Sequence, residues 1–172
     1  MELSDAALKS EKLLAEIKRP NRVKDIVDVE IERTKVVIVT IGGNRFAFNG
    51  NDIREILPAC EISWVPGLPD FLPGLIIIRG EIESVIDIRQ FWGNEINSGQ
   101  PGQIVLAVHG EFRSGILIDS IEDVVDVPLS AIISTLTTLT GTARDLLSGE
   151  LDWGGIVIPL LDIEKLADKV TL

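Results

Sequence analysis

Gly80-Glu81-Ile82-Glu83-Ser84-Val85-Ile86-Asp87-Ile88 aligns without a gap on Gly155-Ile156-Val157-Ile158-Pro159-Leu160-Leu161-Asp162-Ile163, an offset of 75 residues. A second match runs at an offset of 68: Val37-Ile38-Val39-Thr40-Ile41-Gly42 falls on Val105-Leu106-Ala107-Val108-His109-Gly110, Arg45 on Arg113, and Asn51-Asp52-Ile53 on Asp119-Ser120-Ile121. The step between the two offsets places a seven-residue insertion inside the second copy, most simply within Ser134 to Thr142. The chain therefore holds two related units in tandem. Their strand-period patterning makes both units all-β, and the repeat implies a scaffold with two similar faces and a cleft between them.

Working outward, Lys35 to Ile41, a Gly42-Gly43-Asn44-Arg45 turn and Phe46 to Phe48 read as a hairpin. Ile53 to Leu57 is a further strand closed by Pro58, and Leu75 to Ile78 with Ile82 to Ile86 form a second hairpin around Arg79-Gly80-Glu81. Asp87, with Gln90 three residues on, predicts a short helix over Ile88 to Trp92. The Gly- and Pro-rich stretch after it is a linker over 94–102, after which Gln103 to Val108, Phe112 to Ile118, Ile121 to Val127, Asp145 to Leu151 and Ile156 to Leu160 repeat the order. Asp162 caps a closing helix, 162–170. Five short strands per unit predict a small barrel in each half, the first over about 34–93 and the second over about 103–161. Residues 1–33 stand apart as an arm. Ser4 could cap a helix carrying Leu8, Leu13, Leu14 and Ile17 that ends at Pro20, and Val27, Val29 and Ile31 alternate like a half-exposed strand.

Composition narrows the partners. Of 172 residues, 45% are apolar, enough for one respectable core or two small ones. Twenty-seven acidic residues against 16 basic ones give a formal charge of −11, which disfavours nucleic acid and anionic lipid surfaces. The lone Cys60 cannot form an intramolecular disulfide, the first thirty residues lack a signal-peptide core, and the apolar runs Leu75 to Ile78 and Ile104 to Val108 are of strand length. The expectation is a soluble cytoplasmic protein without membrane insertion.

Little in the chain suggests catalysis. The single histidine, His109, falls on Ile41 in the repeat and reads as a strand-end residue. Cys60 reads as a small apolar filler without metal-ligand company. Glu81 and Glu83 could pair as acid and base in the manner of a glycosidase, but their counterparts are Ile156 and Ile158, and carboxylates on an exposed hairpin more often solvate it. Asp119, Glu122 and Asp123 lack the alternating donors and central glycine of a calcium loop. No phosphate-binding or dinucleotide glycine motif is present. No cofactor, metal or catalytic residue is expected.

Segment 34–170 resembles the CheW-like domain of bacterial chemotaxis coupling proteins. The resemblance rests on Arg79-Gly80-Glu81-Ile82-Glu83-Ser84-Val85-Ile86-Asp87-Ile88-Arg89, on Phe46-Ala47-Phe48 followed by Ile53-Arg54-Glu55-Ile56, on Gly115-Ile116-Leu117-Ile118-Asp119 followed by Ile121-Glu122-Asp123-Val124, and on Leu147-Ser148-Gly149 before Asp162-Ile163-Glu164-Lys165-Leu166. This chain departs from the family at Ser84, where Pro is usual, and at Glu83, where an apolar residue is usual. The resemblance implies two tandem five-stranded SH3-like barrels in pseudo-twofold arrangement with short helices. It further implies an adaptor that bridges the cytoplasmic tip of a methyl-accepting chemoreceptor to the regulatory domain of a CheA-type histidine kinase, in the cytoplasm at membrane-associated receptor arrays. In matching positions Ile53, Glu55, Arg79, Ile121 and Val124 resemble the receptor-contacting set, and the segment Ile62 to Val65 the kinase-contacting one. Ile53, Ile121 and Val124 read equally well as barrel core.

Three functions follow as expectations: an adaptor of a chemotaxis pathway, an adaptor of the same fold in type IV pilus motility or another non-flagellar pathway, and a small acidic hydrolase using Glu81 and Glu83. Arg79 adds one clue. Its repeat counterpart is Gly154, and an arginine present in one unit and absent from its twin suggests a contact rather than a fold requirement.

Overall fold

The computed structural model of the chain describes residues 31–92, 102–134 and 141–171, and Thr34–Leu172 form one compact unit. The arm helix, the strand at Val27 to Ile31, the linker 94–102 and the centre of the insertion fall wholly or almost wholly outside the described residues. Within them, the first unit contributes β1 (Arg33–Ile41), β2 (Asn44–Asn49), β3 (Ile53–Pro58), β4 (Gly74–Ile78) and β5 (Glu81–Ile86). The second contributes β6 (Gln103–His109), β7 (Phe112–Ile118), β8 (Ser120–Pro128), β9 (Ile132–Ile133), β10 (Leu147–Trp153), β11 (Ile156–Leu161) and the helix α1 (Ile163–Val170). The strands form two half-barrel sheets, ordered β8-β1-β2-β11-β10-β9 and β3-β6-β7-β5-β4. The fold is all-β, as the strand periodicity implies.

The sheets do not follow the chain. Each takes its leading hairpin from the other copy: β1 and β2 join β8 to β11, while β6 and β7 join β3 to β5. This corrects the contiguous barrels expected over 34–93 and 103–161. The physical reason lies in burial. Val36, Val37, Ile38 and Val39 are all buried, as are Ile104 to Ala107, whereas a strand in an isolated barrel turns one face to water. A strand covered on both faces reads as a continuous apolar run.

Three clusters account for that double burial. Val36 and Ile38 pack with Leu151 and Ile158 inside the six-stranded sheet. Ile104 and Leu106 pack with Ile76 and Val85 inside the five-stranded one. The alternate residues Val37, Val39, Val105 and Ala107 meet in a third cluster drawn from both sheets, which also holds Phe48, Ile86, Ile116 and Leu161. Burying an aliphatic side chain of this kind contributes about 1.5–3 kcal/mol, so the shared cluster holds the two half-barrels to each other.

The pseudo-symmetry is carried in the register. Val85 and Ile86 of β5 pair in parallel with Gly115 and Ile116 of β7. Moving β5 forward by 75 residues and β7 back by 68 turns these into the observed pairs of β11 with β2, Leu160 with Ala47 and Leu161 with Phe48. Likewise the Asp87 amide donates to Phe71 O at 2.9 Å, and its counterpart Asp162 donates to Leu146 O at 2.9 Å. Asp87 caps a 3-10 turn, Ile88–Phe91, by accepting from the Arg89 amide, and Asp162 caps α1 by accepting from Lys165. The strand expected from Asp145 begins instead at Leu147, after a 3-10 turn over Gly141–Leu146. Leu146 and Leu147 are both fully buried in the shared cluster, and consecutive side chains cannot face the same way on a strand.

Candidate functional site

The turn between β4 and β5 is the most unusual backbone in the first half. Arg79 and Gly80 have φ of 51° and 81°, and their counterparts Gly154 and Gly155 have 59° and 84°. The two hairpins therefore turn alike, but one places an arginine where L-residues are strained by about 1–3 kcal/mol. Among the described residues Arg79 is the only non-glycine with positive φ. Its NH2 group lies 2.8 Å from Glu55 Oε1, with the arginine side chain 79% exposed. β3 and β4 are the two edges of the five-stranded sheet, so this ion pair ties the tip of one edge strand to the other. An exposed pair of this kind adds at most about 1 kcal/mol, which only partly offsets the turn strain.

The other residues of the resembling set are divided. Ile53 opens β3 and Ile121 lies near the start of β8; both are half-buried and pack against the cluster shared by the two sheets. Their equivalence in the repeat is thus an equivalence of place. Val124 is exposed. Ile62 is half-buried against the core of the five-stranded sheet. Its neighbour Ser63 exchanges two backbone hydrogen bonds with Leu75, at 2.8 and 2.9 Å, as a one-residue strand. In the other sheet β9 holds the corresponding place: Ile133 pairs with Glu150, the counterpart of Leu75, and Ile132 packs inward as Ile62 does. Val65 is half-buried.

Among the described residues the most exposed large apolar side chains are Trp64 at 74%, Ile77 at 73% and Ile82 at 68%; sequence reasoning named none of them singly, although Trp64 lies within the Ile62 to Val65 segment. Ile77 and Ile82 face each other across β4 and β5. A signal existed in the run Leu75 to Ile78, because four consecutive apolar residues on an edge strand cannot all be buried. The counterpart pair is Asp152 with Val157.

Glu81 is exposed, as expected of it, but Glu83 does not solvate the hairpin. Glu83 is buried, and Arg113 of β7 donates to it from Nε and lies 3.3 Å from Glu81 Oε2. The alternation of β5 turns Glu83 inward opposite Ile76, where a carboxylate needs a partner. Two carboxylates sharing one guanidinium are poorly placed to deliver a proton and to attack a substrate carbon. Cys60 is exposed rather than a core filler, in the segment between β3 and β4. His109 ends β6 at the surface, with Nδ1 3.0 Å from Asp52 Oδ1 and Nε2 3.9 Å from Glu164 Oε2. The Asp52 hydrogen bond raises its pKa above the ordinary value of 6.5, against a smaller desolvation effect and with added attraction from Asp52, Glu164 and Asp162. Asp119 accepts from the Gly43 amide, Glu122 binds Arg45 and Thr40, and Asp123 accepts from the Val124 amide, so the three do not converge. Among the described residues no group of three could hold a metal ion, and no helix is long and apolar enough to cross a membrane. The arrangement offers surfaces for a partner and little for chemistry.

Comparison with known proteins agrees with that geometry. The model of the CheW-like domain matches residues 35–171. The chain is similar to the chemotaxis protein CheW of Klebsiella aerogenes, 26% identical over 131 residues, which cover 76% of this chain and 79% of that protein. It is also similar to Protein PilI of Pseudomonas aeruginosa, 22% identical over 63% of this chain and 62% of that one. Among solved structures, the scaffolding protein TtCheW of Thermoanaerobacter tengcongensis superposes with a TM-score of 0.67 at 19% identity, covering 76% of this chain and 90% of that one.

Proposed function

The chain belongs to the CheW-like domain family, and from that premise we propose that it is a non-catalytic adaptor coupling chemoreceptors to a CheA-type histidine kinase in bacterial chemotaxis. Its partners are the cytoplasmic tip of a methyl-accepting receptor and the regulatory domain of the kinase. It acts in the cytoplasm, recruited to membrane-associated receptor arrays. The observation that carries the reading is Arg79, a strained arginine at a turn whose twin uses glycine. Strain retained at an exposed position is explained by a contact the free protein does not make.

In this reading Arg79 and Glu55 flank the receptor site and Ile53, Ile121 and Val124 supply its apolar floor, which a receptor helix covers as in helix-in-groove recognition. The kinase takes the outer face of the five-stranded sheet around Ile62 and Val65, where Trp64, Ile77 and Ile82 offer exposed apolar surface. Coupling requires only that affinity differ between receptor states. The similarity to PilI favours a second reading, an adaptor of the same kind in a type IV pilus or other non-flagellar pathway. Capture of receptor and kinase from a lysate of the native organism tests the proposal and separates the two pathways; recovery of neither partner would overturn it.

A further inference from the structure

The backbone ladder between β5 and β7 is short. It pairs Val85 with Gly115 and Ile86 with Ile116, and Glu83 and Ser84 lie past its end, toward the Arg79 turn. There the side chains take over. Arg113 of β7 donates to Glu83, whose side chain is 8% exposed, and approaches Glu81. Next to it Ser114 Oγ donates to Ser84 O at 2.9 Å and lies 2.9 Å from Ser84 Oγ, which can donate in return. Ser114 is fully buried.

At Glu83 and Ser84 this hairpin departs from its twin. Both departures find their partner on β7, on adjacent residues. The twin hairpin is built otherwise: Glu83 and Ser84 correspond to Ile158 and Pro159, Ser114 corresponds to Phe46, and Arg45, the counterpart of Arg113, binds Glu122 instead. Phe46 is spent on stacking against Trp92, with ring centroids 4.7 Å apart. A buried ion pair is a weak source of stability compared with apolar packing, but it fixes geometry, because each partner is costly to leave alone.

We propose that Arg113, Glu83, Ser84 and Ser114 are positioning residues: their side-chain seam extends the β5–β7 junction beyond its backbone ladder, locks the β4–β5 hairpin and holds Arg79 against Glu55 for partner recognition. The recognition part rests on the function proposed above; the locking part does not. The apolar contacts that suffice in the twin carry no arginine at the turn, and so need not fix its direction.

The test is amide hydrogen exchange on the full chain, beside binding of a receptor-tip fragment, for Glu83→Ile/Arg113→Leu and for Ser84→Ala/Ser114→Ala. The first pair of substitutions removes both sides of the ion pair and the second both hydroxyls, so no buried side-chain charge or hydroxyl is left alone. Both variants are expected to fold, with amides of Gly80 to Ile82 exchanging at least about tenfold faster and those of Val105 to Ala107 unchanged. Receptor affinity falls by about tenfold. Arg113→Lys, which keeps a cation for Glu83, stays close to the parent in both readouts. Unchanged exchange at Gly80 to Ile82 in a folded double variant would overturn the seam, and if the charged pair's variant does not fold, the serine pair's variant decides alone. Faster exchange with unchanged affinity upholds the lock and removes the Arg79 turn from recognition, the failure of the functional reading rather than of the seam.

Discussion

Two hairpins with the same backbone differ in what they present. The Gly154–Gly155 turn takes its positive φ values with the residue type that costs least, follows a pair of Asp152 and Val157, and has apolar Ile158 and Pro159 behind it. The Arg79–Gly80 turn puts a strained arginine at its tip, two exposed isoleucines across its strands and a polar seam behind it. Since both hairpins close equivalent half-barrels, the fold has already shown that it does not need those features. The difference isolates what the fold does not require, and Glu55 shares in it: Glu55 binds Arg79, whereas its counterpart Asp123 accepts from the Val124 amide.

The comparison breaks most sharply if the half-buried isoleucines behave as deep core. Val85→Asp, at a fully buried position, is expected to cost more than about 4 kcal/mol and unfold the protein. Ile53→Asp and Ile121→Asp, on the rim of the shared cluster, are expected to cost roughly 1–3 kcal/mol, remain folded and lose receptor binding. Urea denaturation beside a receptor-fragment titration checks all three, and unfolding of both isoleucine variants would make them core and misplace the groove.

A smaller effect comes from the turn itself. Arg79→Ala is expected to weaken partner binding by about 1–3 kcal/mol, a hot-spot value, while the melting temperature hardly moves. Loss of stability with intact binding would make Arg79 structural. The reciprocal change sharpens the comparison: Gly154→Arg should destabilise by about 1 kcal/mol, because it imports the strain, and should leave partner binding unaltered.

The smallest expected effect is titration of His109. Its pKa is raised in the folded state by Asp52, so the stabilisation it gives is fully present below about its ordinary 6.5 and fades as pH rises through the higher folded value. His109→Gln should therefore lower the melting temperature slightly at acidic pH and not at pH 9, read by thermal denaturation at both. Equal effects at the two values would show that the imidazole charge contributes nothing.

Much of this was legible before the structure. The strands, the caps at Asp87 and Asp162 and the pseudo-twofold relation follow from local pattern and from the repeat, which is why their positions hold to within a few residues. The exchange of hairpins between sheets was not. A repeat makes Arg33–Asn49 and Gln103–Ile118 interchangeable by construction, so the alignment cannot say which copy each joins; only the unbroken apolar run Val36 to Val39 carries the pattern of a strand covered on both faces. At the candidate site, Arg79 was legible because its twin is glycine. Glu83 was misread as a solvated carboxylate because its partner, Arg113, is thirty residues away on a strand that pairs with β5 only through the exchange. Ile77 and Ile82, and the exposure of Trp64 within its segment, were missed because exposure belongs to the assembled sheet and not to the residue type.

In the proposed function this protein holds a receptor and a kinase at once, and the half bearing Arg79 does the recognising. The most direct test is calorimetric titration of the purified chain with a receptor-tip fragment and with a kinase regulatory domain, separately and together, for the parent, Arg79→Gly and Gly154→Arg. A ternary complex is expected, with receptor affinity at least about tenfold weaker in Arg79→Gly and unchanged in Gly154→Arg. Absence of binding to both fragments, or equal weakening by the two substitutions, would contradict it.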